Sequence, residues 1–199
     1  MTLVIGLTGS IATGKSTVSL MFDDYDIPVI DADKLSREVV VPGEAAYYQI
    51  VEVFGEEILR EDGTIDRKKL GSIVFTDESK RKELNAIVHP AVRERMLQKR
   101  DSWKEKNVPA VVMDIPLLFE SKLTHFVDKT LVVYVDEHVQ LSRLVERDES
   151  TKEEAMQRIQ SQIPISEKAE MADAIIDNNG SKQDSYKQLE EILIQWNVI

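Results

Sequence analysis

The chain has 199 residues, of which 36 are acidic and 25 basic, and it contains no cysteine. That length suits one α/β domain with room for inserted subdomains and a sizeable core. The formal net charge of −11 speaks against a general polyanion binder, so any phosphate site must be local. The lack of cysteine excludes disulfides, zinc-thiolate sites and a thiol nucleophile. The N-terminus lacks the basic start and long apolar stretch of a signal peptide, and no apolar run is long enough to cross a bilayer. The expectation is a soluble cytoplasmic protein without nucleic-acid or membrane partners; oligomeric state is not legible.

The first apolar run, Leu3–Leu7, is expected to be a strand, and Thr17–Phe22 a helix. Between them Gly9 to Ser16 reads G-S-I-A-T-G-K-S, which matches G-x-x-x-x-G-K-[ST] at every fixed position. Strand, glycine loop and helix are the three parts of a phosphate cradle. Gly9 and Gly14 let the backbone turn its N–H groups inward, and the helix start adds partial positive charge. Lys15 is expected to reach the β- and γ-phosphates, and the Ser16 hydroxyl to bind magnesium.

A second strand is predicted at Ile27–Ile30, followed by Asp31 and Asp33. In an open parallel sheet ligands sit at the carboxyl ends of strands. Asp33, further from the strand, is the candidate base for an acceptor hydroxyl, and Asp31 supports it or contacts a metal-bound water; the alternative for either aspartate is to cap the next helix. The long stretch before the third strand is helical in character. Glu44–Phe54 carries Ile50, Val51 and Phe54 at helical spacing, and Glu61-Asp62-Gly63-Thr64 is a turn signal. Asp66 is placed to cap a helix bearing Leu70, Ile73 and Val74. Glu78–Val88 reads as another helix, with His89 as a possible cap, before Pro90 interrupts and a charged helix runs on towards Trp103. Arg37 and Arg93 are either a fork for an acceptor phosphate or solvated helix residues. An insertion of this size is a natural place to hold a second substrate.

The remaining strands are predicted at Ala110–Met113, Thr130–Val135 and Ala174–Ile176. Their continuous Val, Ile and Leu content suits strands covered on both faces, hence a parallel sheet built from βαβ units. Asp114 closes the third strand and is either a turn residue or metal-linked. Glu137–Asp148 and Lys152–Gln162 read as two polar helices joined at Glu149-Ser150-Thr151, a basic lid over the phosphate site. Arg143 and Arg147 share a face; they contact nucleotide phosphates or else pair with Glu146 and Asp148. Asp184–Trp196 is a last helix against the sheet. These parts point to a small-molecule kinase. A nucleoside or nucleotide kinase shares most of them, and a nucleotide-dependent switch is a further alternative, though no N-K-x-D or L-S-G-G-Q motif is present.

The ordered motifs resemble the dephospho-CoA kinase family over most of the chain. They are Gly6-Leu7-Thr8-Gly9 with Gly14-Lys15-Ser16-Thr17, Asp31-Ala32-Asp33 with Arg37-Glu38, Leu84 to Pro90, and Pro116-Leu117-Leu118-Phe119-Glu120. Gln140, Arg143, Arg147, Asp148, Arg158 and Gln162 follow, then Ala172-Asp173 with Asn178 and Gly180. The resemblance implies a three-layer α/β phosphate-loop fold with a five-stranded parallel sheet in order 2-3-1-4-5. The nucleotide-binding core would be residues 1–35 with 107–136 and 170–199, the helical CoA-binding insertion 36–106 and the lid 137–169. It implies transfer of the γ-phosphate of ATP to the ribose 3′-hydroxyl of dephospho-CoA, the last step of coenzyme A synthesis. Asp33 would be the base, with Lys15 and Arg143 stabilising the migrating phosphoryl group and Ser16 holding Mg2+. Ala12, Thr13, Gly14, Lys15, Ser16, Thr17, Arg143, Arg147 and Asn178 would contact ATP, with Asn178 beside the adenine. Thr8, Asp33, Arg37, His89 and Leu117 would serve the acceptor.

Overall fold

The computed structural model describes residues 2–199. Its centre is a five-stranded sheet in the order β2-β3-β1-β4-β5, formed by β1 (Leu3–Gly9), β2 (Val29–Asp31), β3 (Ala110–Asp114), β4 (Lys129–Tyr134) and β5 (Ala174–Asp177). β1 pairs in parallel with β3, Leu3 opposite Ala110 and Leu7 opposite Asp114, and with β4, Ile5 opposite Lys129 and Gly9 opposite Val133. β4 pairs in parallel with β5. This is the three-layer α/β phosphate-loop fold, with the strand order that the family resemblance implies. The continuous apolar runs are explained by burial: all five residues of β3 and the last six of β1 are buried.

The chain divides into two compact units, residues 1–30 with 100–199 and residues 31–99. The first contains the sheet except for the end of β2. Its core joins Ile5, Leu7, Val112, Leu131, Val133 and Ile176 of the strands to helix residues. These are Val18 and Met21 of α1 (Lys15–Met21) and Leu189 and Leu193 of α9 (Lys182–Gln195). Helices α6 (Glu137–Asp148) and α7 (Lys152–Gln160) belong to the same unit and form the expected hairpin. Their small core is Leu144, Ala155 and Ile159, with Ile11 and Ala12 of the glycine loop packed against it. Thr151 and Glu154 form a reciprocal capping box that starts α7 sharply. The short α8 (Ile165–Glu170), which the sequence pattern does not signal, lies before β5.

The second unit is helical, with α2 (Ala32–Glu38), α3 (Ala45–Phe54), α4 (Arg67–Thr76) and most of α5 (Glu78–Glu105). Its core is Tyr47, Ile50, Phe54, Ile58, Ile65 and Leu70, with Ile73, Val74, Leu84, Ile87 and Val88 packed on it. The three expected apolar stripes therefore meet in one cluster. Asp66 caps α4, accepting from the Lys68 and Lys69 amides at 2.9 and 3.2 Å. No helix among the described residues is long and apolar enough to cross a membrane.

One expectation fails. Pro90 does not interrupt a helix: α5 runs through it unbroken. Proline has no N–H for the Ala86 carbonyl, but one missing bond does not end a helix anchored on both sides. Leu84, Ile87 and Val88 pack before it, and Val92 and Met96 are buried after it. His89 is accordingly an interior helical residue, not a cap. Pro90→Ala restores the missing donor and should stabilise the protein by about 2 kcal/mol, net of the looser unfolded chain. The midpoint of urea unfolding should rise with an unchanged slope; a lower midpoint would mean that Pro90 relieves a clash in α5.

Candidate active site

β1 delivers the chain to Gly9 at its carboxyl end, and α1 begins at Lys15. The turn between them is tight. Ala12 has φ +62° and Gly14 φ +87°, the left-handed region that only glycine enters without strain. Thr13 closes the turn by donating from its amide and its hydroxyl to the Ser10 carbonyl, at 3.2 and 3.0 Å. Gly9 is required for another reason: a Cβ there would sit 2.6 Å from the Thr13 hydroxyl.

The loop is supported from behind by three groups of contacts within the same unit. The Asn178 side-chain amide donates to the Thr13 carbonyl at 2.8 Å, while its oxygen accepts from the Ser185 hydroxyl at 2.7 Å. Gln162 accepts from the Ile11 amide at 3.0 Å, and Gln140 donates to the Ile11 carbonyl at 2.8 Å. Lys168, wholly buried, donates to the Gly9 carbonyl at 3.0 Å. The loop is thus held at Gly9, Ile11 and Thr13 by side chains of its own unit.

Lys15 makes a close ion pair with Asp114, the last residue of β3. The apolar strand ending in an acid therefore brings its carboxylate to the lysine of the loop. Ser16 and Thr17 are exposed at the head of α1, and Ala12 is half-buried. Thr8 is wholly buried, its hydroxyl donating to the Pro116 carbonyl at 3.0 Å. Leu117 is exposed in the same segment.

Arg143 and Arg147, one turn apart on α6, part company. Arg143 turns towards the loop and donates to the Asn178 carbonyl at 3.0 Å. Its guanidinium comes within 3.9 Å of where a Cβ on Gly14 would lie. Arg147 instead pairs with Asp148, at 2.7 Å, and Asp148 is also held by Arg158. Hydrogen bonds from Arg147 and then Arg158 lower the Asp148 carboxyl to about 2. Glu146, the other expected partner, is an exposed residue of α6.

Within the helical unit, Asp31 caps α2 by accepting from the Lys34 amide at 3.0 Å. Its capping role is therefore the one the structure displays. Asp33 and Arg37 lie one turn apart on α2, both exposed. His89 and Arg93 are likewise one turn apart on α5. Partial desolvation and the Arg93 charge push the His89 imidazole below the ordinary histidine range.

For a divalent cation the donors are the Ser16 hydroxyl and the Asp114 carboxylate, both hard oxygens. No group of three or more His, Cys, Asp or Glu among the described residues could enclose an ion. That set fits Mg2+, which keeps much of its shell in water and phosphate oxygens and takes one or two ligands from protein.

Sequence reasoning missed Lys168 and Ser185. Lys168 lies in Ile165-Ser166-Glu167-Lys168-Ala169-Glu170, a polar hexapeptide that reads as surface. Its burial follows from tertiary packing, for which the local pattern carries no signal.

With this geometry in view, comparison with known proteins is informative. The dephospho-CoA kinase family model matches residues 3–184. The chain belongs to the dephospho-CoA kinase family. It is 61% identical over 198 residues to a protein of Oceanobacillus iheyensis named dephospho-CoA kinase, covering all of both chains. Among solved structures it is similar to the dephospho-CoA kinase of Campylobacter jejuni, with a TM-score of 0.77 at 31% identity and 98% of each chain covered. It is also similar to a Thermus thermophilus protein, with a TM-score of 0.82 at 29% identity, covering 98% of this chain and 97% of that one.

In Gly14→Ala the new Cβ would lie 2.2 Å from the Asn178 amide nitrogen at a φ of +87°. Strain of about 1–3 kcal/mol should weaken ADP binding by about 5- to 150-fold by calorimetry; unchanged affinity would mean that the loop repacks freely. Asp148 has a depressed folded-state pKa, so its contribution to the hairpin is present above the ordinary aspartate pKa and lost as pH falls towards about 2. Amide protection factors in α6 and α7 should therefore fall between about pH 4 and 2, and Asp148→Asn should remove that fall.

Proposed function

We propose that the protein transfers the γ-phosphate of ATP to the ribose 3′-hydroxyl of dephospho-CoA, giving CoA and ADP, the last step of coenzyme A synthesis. The observation that carries the reading is the end-to-end likeness to relatives of that name, 61% identical at full coverage, around an intact phosphate loop. In this reading residues 36–106 receive the acceptor, 137–169 act as a lid, and the remainder binds ATP in the cytoplasm. The local cation supply within an acidic chain suits small phosphorylated substrates rather than nucleic acid.

The ribose 3′-oxygen attacks the γ-phosphorus as the bond to the β–γ bridging oxygen breaks. The bonding pair leaves with ADP. The Asp33 carboxylate takes the hydroxyl proton and later releases it to solvent. The Lys15 ammonium exchanges Asp114 for the phosphate oxygens, and the loop amides from Ala12 to Thr17 hold the β-phosphate. Arg143 stabilises charge that develops on the transferring group, Arg147 adds a contact once freed from Asp148, and Asn178 borders the nucleotide. Ser16 would hold magnesium, which when bound neutralises charge on the β- and γ-oxygens. Arg37, His89 and Leu117 orient dephospho-CoA, Arg37 by its charge and Leu117 by its exposed apolar side chain, while buried Thr8 serves the acceptor by fastening the Pro116–Leu117 segment.

The test is to incubate the protein with Mg-ATP, with and without dephospho-CoA, and identify the product by mass. A phosphate-sized gain on dephospho-CoA with matching ADP is expected. In the same assay Asp33→Asn should lower kcat by about 10²-fold or more, the scale of a lost general base, with ATP affinity retained. ATP binding without acceptor phosphorylation would redirect the search to nucleosides and nucleotides; wild-type turnover by Asp33→Asn would remove the base assignment.

A further inference from the structure

Lys168 has no part in the chemistry above, yet it is a wholly buried lysine. Its Nζ donates to the Gly9 carbonyl at 3.0 Å and pairs with Glu120 Oε1 at 2.7 Å. The same Glu120 oxygen accepts from the Ile163 amide at 3.2 Å. The other oxygen, Oε2, is buried without a hydrogen-bond partner among the described residues. Burying both charges is costly, and an apolar pair of similar volume would often be as stable or more so. Fold stability alone is therefore a weak reason for the pair.

Its location suggests a stronger one. Gly9 is where β1 ends and the phosphate loop begins, and a Cβ there has no room. Lys168 aims a full positive charge at that carbonyl. Ile163, held by Glu120, immediately follows Gln162, which accepts from the Ile11 amide at 3.0 Å. Ser10 donates to the Ile163 carbonyl at 3.5 Å. The first turn of the loop and the segment between α7 and α8 are therefore fastened at a shared point, and the ion pair lies at its base.

We propose that Lys168 is a positioning residue of the nucleotide site: through the Gly9 carbonyl it holds the first turn of the phosphate loop ready for nucleotide, and Glu120 keeps Lys168 in place. This rests on the nucleotide-binding part of the proposed function and not on the identity of the acceptor. Charge-assisted hydrogen bonds are about twice as strong as neutral ones, so losing this one leaves the loop's start less well defined. The resulting cost falls on nucleotide binding.

The test compares Lys168→Met, Glu120→Gln and the double variant Glu120→Gln/Lys168→Met with wild type. The readouts are thermal midpoint, ADP dissociation constant by calorimetry, and KM for each substrate. Lys168→Met strands the buried Glu120 carboxylate and should be strongly destabilised. The double variant removes both charges, keeps the volume and should recover much of the midpoint. It should nevertheless bind ADP about tenfold more weakly, with KM for ATP raised in parallel and KM for dephospho-CoA unchanged. Glu120→Gln retains the contact with Gly9 and should bind ADP within about twofold of wild type. A folded double variant with wild-type ADP affinity would overturn the proposal, as would equal loss in Glu120→Gln or equal increases in both KM values. Wild type that fails to bind ADP would instead sink the nucleotide reading itself.

Discussion

The fold of the nucleotide-binding unit is organised around a backbone turn that cannot hold itself. Ala12 and Gly14 both have positive φ, and Gly9 lacks room for a side chain. Such a turn persists only when its surroundings over-determine it. The surroundings come from distant parts of the sequence: Gln140 from α6, Gln162 after α7, Lys168 from α8 and Asn178 after β5. The parallel sheet makes this possible, because β1, β4 and β5 run in one direction and the chain after β4 and after β5 returns to the loop. The Thr13 hydroxyl completes the turn from within.

The sheet explains why much of this is legible in the sequence. Strands covered on both faces must be apolar throughout, so Ala110–Asp114 and Leu131–Val133 stand out against a charged background. The loop motif is legible because its glycines answer to steric demands that no other residue meets. The helical unit is legible through its stripes: Ile50 with Phe54, Leu70 with Ile73 and Val74, and Leu84 with Ile87 and Val88 converge on one core.

What the sequence hides is whatever depends on long-range partners. Pro90 reads as a break because the rule concerns its own N–H, whereas the continuation of α5 depends on burial of Val92 and Met96. Lys168 reads as surface because nothing nearby shows that Glu120 and Gly9, 48 and 159 positions away, will enclose it. Asp31 and Asp33 look alike in a string, and only the hydrogen bond from the Lys34 amide separates the helix cap from the unengaged neighbour. Arg143 and Arg147 are equivalent on a helical wheel, and their neighbours distinguish them.

That last distinction bears on how an acidic protein handles phosphate. With a net charge of −11, cations of this unit are taken up by carboxylates: Lys15 by Asp114, Arg147 and Arg158 by Asp148, Lys168 by Glu120. A phosphate that recruits one of these must displace a carboxylate of comparable strength, so the net gain is small unless the displaced acid finds another cation. Arg143 differs. It makes no ion pair among the described residues, and its partner is the neutral Asn178 carbonyl. Turning it onto a phosphate oxygen exchanges a charge–dipole contact for a charge–charge one, which gains more and leaves no buried acid behind. In the proposed reaction, of these two arginines the weight of transition-state stabilisation therefore belongs on Arg143. Arg147 is better suited to stiffen the hairpin through Asp148.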